Sequence, residues 1–167
     1  MRYSITGIDP GLVHTGVVTL EILTEKHKFL VRSEAVASTL LADKSVDVER
    51  TALLVAALTN VYSTHIFIEK YQPRSHFGTD AKMMELVRAI HMKCRDSQVI
   101  SNTGSKQVIK PALLELLHLK KFPATHHQDL QAAARILLYG ALKDEELNRV
   151  LFTIIHDNVT GNPWEFQ

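Results

Sequence analysis

The chain has 167 residues, a net charge of +1 and 46% hydrophobic residues, enough to bury a substantial core as one soluble domain. A single cysteine, Cys94, excludes a disulfide framework and a cysteine-based zinc site. With no signal peptide and no long apolar run, the expectation is a reduced, intracellular protein without a membrane role.

Charge is unevenly spread. Between Lys70 and Lys121 ten basic residues stand against four acidic ones, so the middle carries +6 and the rest −5. A polyanion would prefer that middle, although solvated basic helix faces produce the same excess.

Tyr3 to Ile8 reads as a strand running into Asp9-Pro10-Gly11, where Pro sets the first turn torsion and Gly is expected to supply a positive φ. On this stretch alone, a solvated turn aspartate and a functional one are equally good readings. From Gly16 to Leu23, Val18, Leu20 and Ile22 alternate with Val17, Thr19 and Glu21, and Lys28 to Val36 follows a short polar turn. These three stretches predict an antiparallel meander. A helix is expected next, with Leu54, Ala57, Leu58 and Val61 on its buried face and Asp47 and Glu49 near its N-terminus. Thr64 to Glu69 is an apolar run entered from a helix, the pattern of a parallel strand, and it too ends in a carboxylate.

After a loop from Lys70 to Gly78, a second helix from about Asp80 to Lys93 buries Met83, Leu86, Val87 and Ile90, and Gln98 to Ser101 is a fifth strand. A helical pattern runs from Gly104 to about Leu119, with Pro111 marking a kink or a fresh start. Thr125 and Gln128 have the spacing of a capping box ahead of the stripe Leu130, Ala133, Ala134, Leu137 and Leu138. Asp144 to His156 is one more helix, and Asp157 to Gln167, with Trp164, has no assigned place.

This order predicts a mixed α/β fold with a five-stranded sheet, three strands antiparallel and two parallel, flanked by helices. If the first and fourth strands lie side by side, Asp9 and Glu69 become neighbours. Burying two carboxylates without a cation costs several kcal/mol per charge, on the order given for buried ions. A divalent metal removes that cost. His126 and Asp129, three apart in a helical first turn, share a face continuous with the apolar stripe and point towards the sheet. Each residue alone has a plain alternative: a strand-end charge, a surface histidine, a first-turn acid. Three carboxylates and a histidine together suit Mg²⁺ or Mn²⁺ rather than zinc.

Gly7-Ile-Asp-Pro-Gly11 with Thr15-Gly16, then Ile68-Glu69, then Gly104-Ser-Lys-Gln-Val108, then His126-x-x-Asp129 before Leu130, resemble in order and spacing the motifs of the bacterial RuvC family of Holliday junction resolvases. The resemblance runs from about residue 3 to 140. It implies a ribonuclease H-like fold, a homodimer, and metal-dependent cleavage of four-way DNA junctions by paired nicks in recombination or repair. Carried over, Asp9, Glu69, His126 and Asp129 would hold two Mg²⁺ ions, with Mn²⁺ as a substitute and Asp9 shared between them.

The resemblance also implies DNA contacts from the loop after Glu69, where Lys70 and Arg74 are basic and Tyr71 or Phe77 is placed to stack on bases. Lys106 and Lys110 are the phosphate contacts it implies further on. Arg88 falls in the stretch resembling the family's dimer-forming helix. The loop at 70–78, Pro111 and the segment 144–167 depart from the family pattern and leave junction selectivity open.

Three competing readings share parts of this pattern. One is a less selective branched-DNA or RNA-processing nuclease on the same fold. Another is a branched-DNA binding module that does not cut, for which the full acidic set is unnecessary. The third is an ATPase of the actin and hexokinase type, which needs two such domains and more chain than this.

Overall fold

The structure, a computed structural model, describes residues 1–61 and 63–167, apart from the side chain of Ala124. The meander forms as its alternation predicts. Strands β1 (Arg2–Asp9), β2 (His14–Leu23) and β3 (Lys28–Ala37) pair antiparallel, with Asp9 opposite Gly16 and His14 opposite Ala37. The turn after Asp9 does not use the positive φ expected of Gly11, whereas His27, with φ of 49°, closes the second turn.

Helix α1 (Val48–Asn60) is capped by the Asp47 carboxylate, which accepts from the Arg50 amide at 3.0 Å. Its buried face corrects the expected one: Val48, Thr51, Ala52, Val55 and Ala56 pack inward. Leu54 and Val61 stand 47% and 70% exposed. Both faces have helical spacing, and the one that faces the core formed with α2 is buried, with Leu58 of the expected set packed against its edge.

Strand β4 (His65–Glu69) enters parallel to β1 and β5 (Ser97–Ile100) parallel to β4, joined by α2 (Phe77–Lys93). Helix α2 buries Met83, Leu86, Val87 and Ile90 as expected but starts three residues earlier than predicted, so Phe77 and Gly78 belong to its first turn rather than to the loop. The next helical pattern is two short helices, α3 (Ser105–Val108) and α4 (Pro111–Leu116). Pro111 is the fresh start: it occupies the first turn of α4, where its missing amide costs nothing.

The expected capping box does not form. The chain enters α5 (His127–Ala141) through a 3-10 turn at Ala124–His126, His126 takes the cap position, and no side chain caps the helix end. Helix α6 (Glu145–Thr160) is capped by Asp144, which accepts from the amides of Glu146 and Leu147, and it ends at Gly161 with φ of 89°.

The tail that had no assigned place adds a sixth strand, β6 (Glu165–Phe166), parallel to β3. Trp164 anchors it, 6% exposed, its indole N–H donating to Asp157 at 2.9 Å. Among the described residues the sheet order is β5-β4-β1-β2-β3-β6, six strands rather than five.

Alternate residues of each strand feed two cores. Tyr3, Ile5, Val18, Leu20 and Phe67 pack with α5 and α6 on one face. Ile8, Val17, Ile66 and Ile68 pack with α1 and α2 on the other. Among the described residues no helix is long and apolar enough to cross a membrane.

Candidate active site

Strand parity decides which side chains meet. Gly7 and Ile8 lie beside Phe67 and Ile68, so one step further on Asp9 and Glu69 end their parallel strands side by side. Asp9 shares the face of Tyr3 and Ile5, Glu69 that of Phe67, and His14 and Gly16 that of Val18 and Leu20; all look towards α5.

Two glycines let α5 come down onto this face. A Cβ on Gly7 would stand 2.0 Å from the Ala133 carbonyl oxygen, and one on Gly16 2.5 Å from that of Asp129. Backbone packed this closely brings the first turn of α5, with Asp129 and the preceding His126, over the strand ends.

The carboxylates are crowded. Burial, then the Glu69 charge, their shared hydrogen bond and the Asp129 charge push Asp9 up to about 8. Glu69 is also raised by burial, against the pull of hydrogen bonds from Asp9 and Asn102 and of the Arg74 and Lys106 charges. Asp9 therefore keeps its proton near neutral pH and donates it to Glu69. Acids that must hold a proton to coexist, with a third acid beside them, fit a divalent cation that would take the proton's place.

The four residues expected to share one site come together at this end of the sheet in two groups. Asp9 and Glu69 form the first. Asp129 and His126 belong to a second with His14, in which one ligating atom from each lies within 4.8 Å of the others. The His14 and His126 rings are 4.5 Å apart, centroid to centroid, and tilted by 57°. Asp129 links the groups through its charge on Asp9.

Two residues escaped the sequence reading. Asn102 follows β5 and donates its amide to Glu69; its place depends on β5 pairing with β4 and has no local signature. His14 was findable, since it stands two residues before the glycine opposite Asp9 and so shares its face.

The loop after β4 borders a cleft of about 460 Å³ whose walls include Asp9, Glu69, Tyr71, Arg74 and Asn102. Asp80, in the first turns of α2, organises the loop by accepting from the amides of Arg74 and His76 and from the Tyr71 hydroxyl. Tyr71 is thus tied back. Phe77 is 95% exposed. Arg74 and Lys106 flank Glu69 closely enough to favour its ionised form. Lys70 is exposed where its amide pairs with Ile100, and Lys110 is exposed at the start of α4.

No family model and no curated protein matches this sequence. Among solved structures, RuvC of T. thermophilus in complex with a Holliday junction substrate superposes with a TM-score of 0.67 at 18% identity, over 84% of this chain and 94% of that one. A second T. thermophilus RuvC structure gives 0.57 at 15% identity, over 84% and 96%. The fold is RuvC-like, of the ribonuclease H type.

Proposed function

We propose that this chain, on its RuvC-like fold, is a metal-dependent DNA endonuclease that resolves four-way junctions by paired nicks and works as a homodimer. One observation carries the reading: Asp9, Glu69, His126 and Asp129, from two strand ends and one helix start, meet on a single face beside a cleft flanked by cations. The similar T. thermophilus structure holding a Holliday junction supports branched DNA as the substrate.

Asp9, Glu69, His126 and Asp129 would hold two divalent ions, Mg²⁺ or Mn²⁺. When bound, such ions turn water into a nucleophile near neutral pH and shield the charge on the leaving oxygen. The protein's own part is to bring the strand to the carboxylates. Arg74 and Lys106, already beside Glu69, would take the flanking phosphates, with the exposed Lys70 and Lys110 as further contacts.

Phe77 is the better placed of the two loop aromatics to stack on an unpaired base, a contact worth about 1–3 kcal/mol. Tyr71 would act from behind, since its hydroxyl bond to Asp80 sets the loop that carries Arg74. For the homodimer, the exposed stripe Met84, Arg88 and Met92 along α2 is the surface a second copy would cover.

The test is cleavage of four-way, three-way and linear substrates with and without Mg²⁺. Junction cutting that needs the metal is expected. Equal cutting of linear duplex would replace this reading by a less selective nuclease, and binding without cutting in Mg²⁺ would replace it by a binding module.

A further inference from the structure

We propose that His14 is a metal ligand, so that His14, His126 and Asp129 form a position of two imidazoles and one carboxylate that takes a first-row transition ion in preference to Mg²⁺. The inference deepens the nuclease reading and rests on it for its meaning in catalysis, but it is measurable without DNA.

His14 is held by the sheet. It is the first residue of β2, paired with Ala37 of β3, and the Val13 carbonyl before it accepts from the Ser38 amide at 2.9 Å. Parity with Gly16 turns its side chain to the α5 face, and the contact of Gly16 with the Asp129 backbone brings Asp129 and His126 over it. Three ligating atoms therefore converge from a strand, a 3-10 turn and a helix, all within 4.8 Å. Donors on one ion at about 2.0–2.2 Å stand up to about 4.4 Å apart, so small side-chain rotations close the remaining distance.

The surroundings leave these donors available. Asp9 and Glu69 hydrogen-bond to each other, and Glu69 also accepts from Asn102. Among the described residues, the His14 and His126 imidazoles and the Asp129 carboxylate have no hydrogen-bond partner. Two rings that served only to fill space would not need a carboxylate aimed at the same point.

The donor set determines the ion. Mg²⁺ is bound by oxygen and keeps its waters, whereas imidazole nitrogen favours first-row transition ions. The Asp9–Glu69 pair offers oxygen only and suits either class. The second position, with two nitrogens, discriminates between them.

The experiment uses the full chain without DNA, Mn²⁺ as the probe and excess Mg²⁺ as competitor. Free Mn²⁺ is read by electron paramagnetic resonance, and directly coupled nitrogens are counted by its pulsed form. The wild-type chain is expected to retain one Mn²⁺ against Mg²⁺ with two imidazole nitrogens coupled to it. In His14→Ala the coupling should fall to one nitrogen and the affinity by at least about tenfold, the lower bound seen when even an outer-shell partner is removed. His14→Gln, which keeps the bulk and a polar tip, should lose the same nitrogen and guards against a folding defect in the alanine variant.

A single coupled nitrogen in the wild-type chain, no Mn²⁺ retained against Mg²⁺, or wild-type affinity in both variants would overturn the inference. Junction cleavage is scored separately: two coupled nitrogens in a chain that cuts no junction would sink the nuclease reading and leave the metal position standing.

Discussion

Replacing Asp9 by asparagine should make the metal-free protein more stable while destroying its cleavage activity. In the folded chain Asp9 is raised from 3.8 to about 8, chiefly by burial and then by the Glu69 charge. Between those two values the folded state holds a proton that the unfolded state has released, so wild-type stability falls as pH rises through this window. At about 1.4 kcal/mol per pH unit, the cost is on the order of 4 kcal/mol at pH 7 and about half that or less at pH 5.

Asparagine has no charge to lose, so Asp9→Asn removes this pH-dependent cost. The gain at pH 7 is at most about 4 kcal/mol, because the amide must still fit the hydrogen bond to Glu69. Urea unfolding in EDTA at pH 5 and pH 7.5 measures it: the variant should exceed wild type at both, by more at the higher pH. Saturating Mn²⁺ should narrow the gap by stabilising wild type more than the variant, and junction binding should survive where cutting is lost. A variant no more stable than wild type at pH 7.5 in EDTA would refute the picture of Asp9 as a crowded, protonated acid. Metal-dependent cutting by the variant would place the chemistry elsewhere.

Phe77→Ala should leave thermal stability unchanged, because the ring is 95% exposed. It should weaken junction affinity by roughly 5- to 150-fold, the range that corresponds to the loss of one stacked base; equal affinity for wild type and variant in a binding titration would remove Phe77 from the interface. Asp80 is held below its ordinary value by the Tyr71 hydroxyl bond and by the Arg74 and His76 amides, so its support for the loop is complete above the unfolded value and disappears as pH falls through the folded one. Asp80→Asn should therefore speed protease nicking of residues 70–78 at neutral pH, with less difference from wild type in acid; identical nicking at neutral pH would argue against the anchor. Gly16→Ala sets a methyl 2.5 Å from the Asp129 carbonyl oxygen, and overpacking of this kind costs about 1–3 kcal/mol. Calorimetry should show the lower melting temperature, and an unchanged one would mean that α5 does not lie as close to β2 as its glycines allow.

The meander, the parallel β4 and the acids at the strand ends were legible because period-2 alternation and a terminal carboxylate are local signals. The inward face of α1 was not. Leu54, Ala57, Leu58 and Val61 recur at helical spacing as well as the buried set does, and only the packing against α2 and the sheet decides which set faces inward. The capping box at Thr125 failed for a similar reason: its spacing was correct, but the chain arrives through a 3-10 turn that makes His126 the cap residue. The sixth strand escaped because two residues carry no periodicity, and Trp164 finds its place only against Asp157 and the turn at His27.

By itself, then, the sequence singled out four candidate site residues: an acid ending an apolar strand, a second acid ending another, and a His-x-x-Asp at the start of an amphipathic helix. Only the tertiary structure decided how they are partitioned. Proximity between β1, β4, β2 and α5 depends on strand register and on Gly7 and Gly16 admitting the helix backbone, contacts separated by more than a hundred residues in the chain. That approach is what joins Asp9 to Glu69 and gathers His126 and Asp129 around His14, whose face strand parity gave but whose partners it did not.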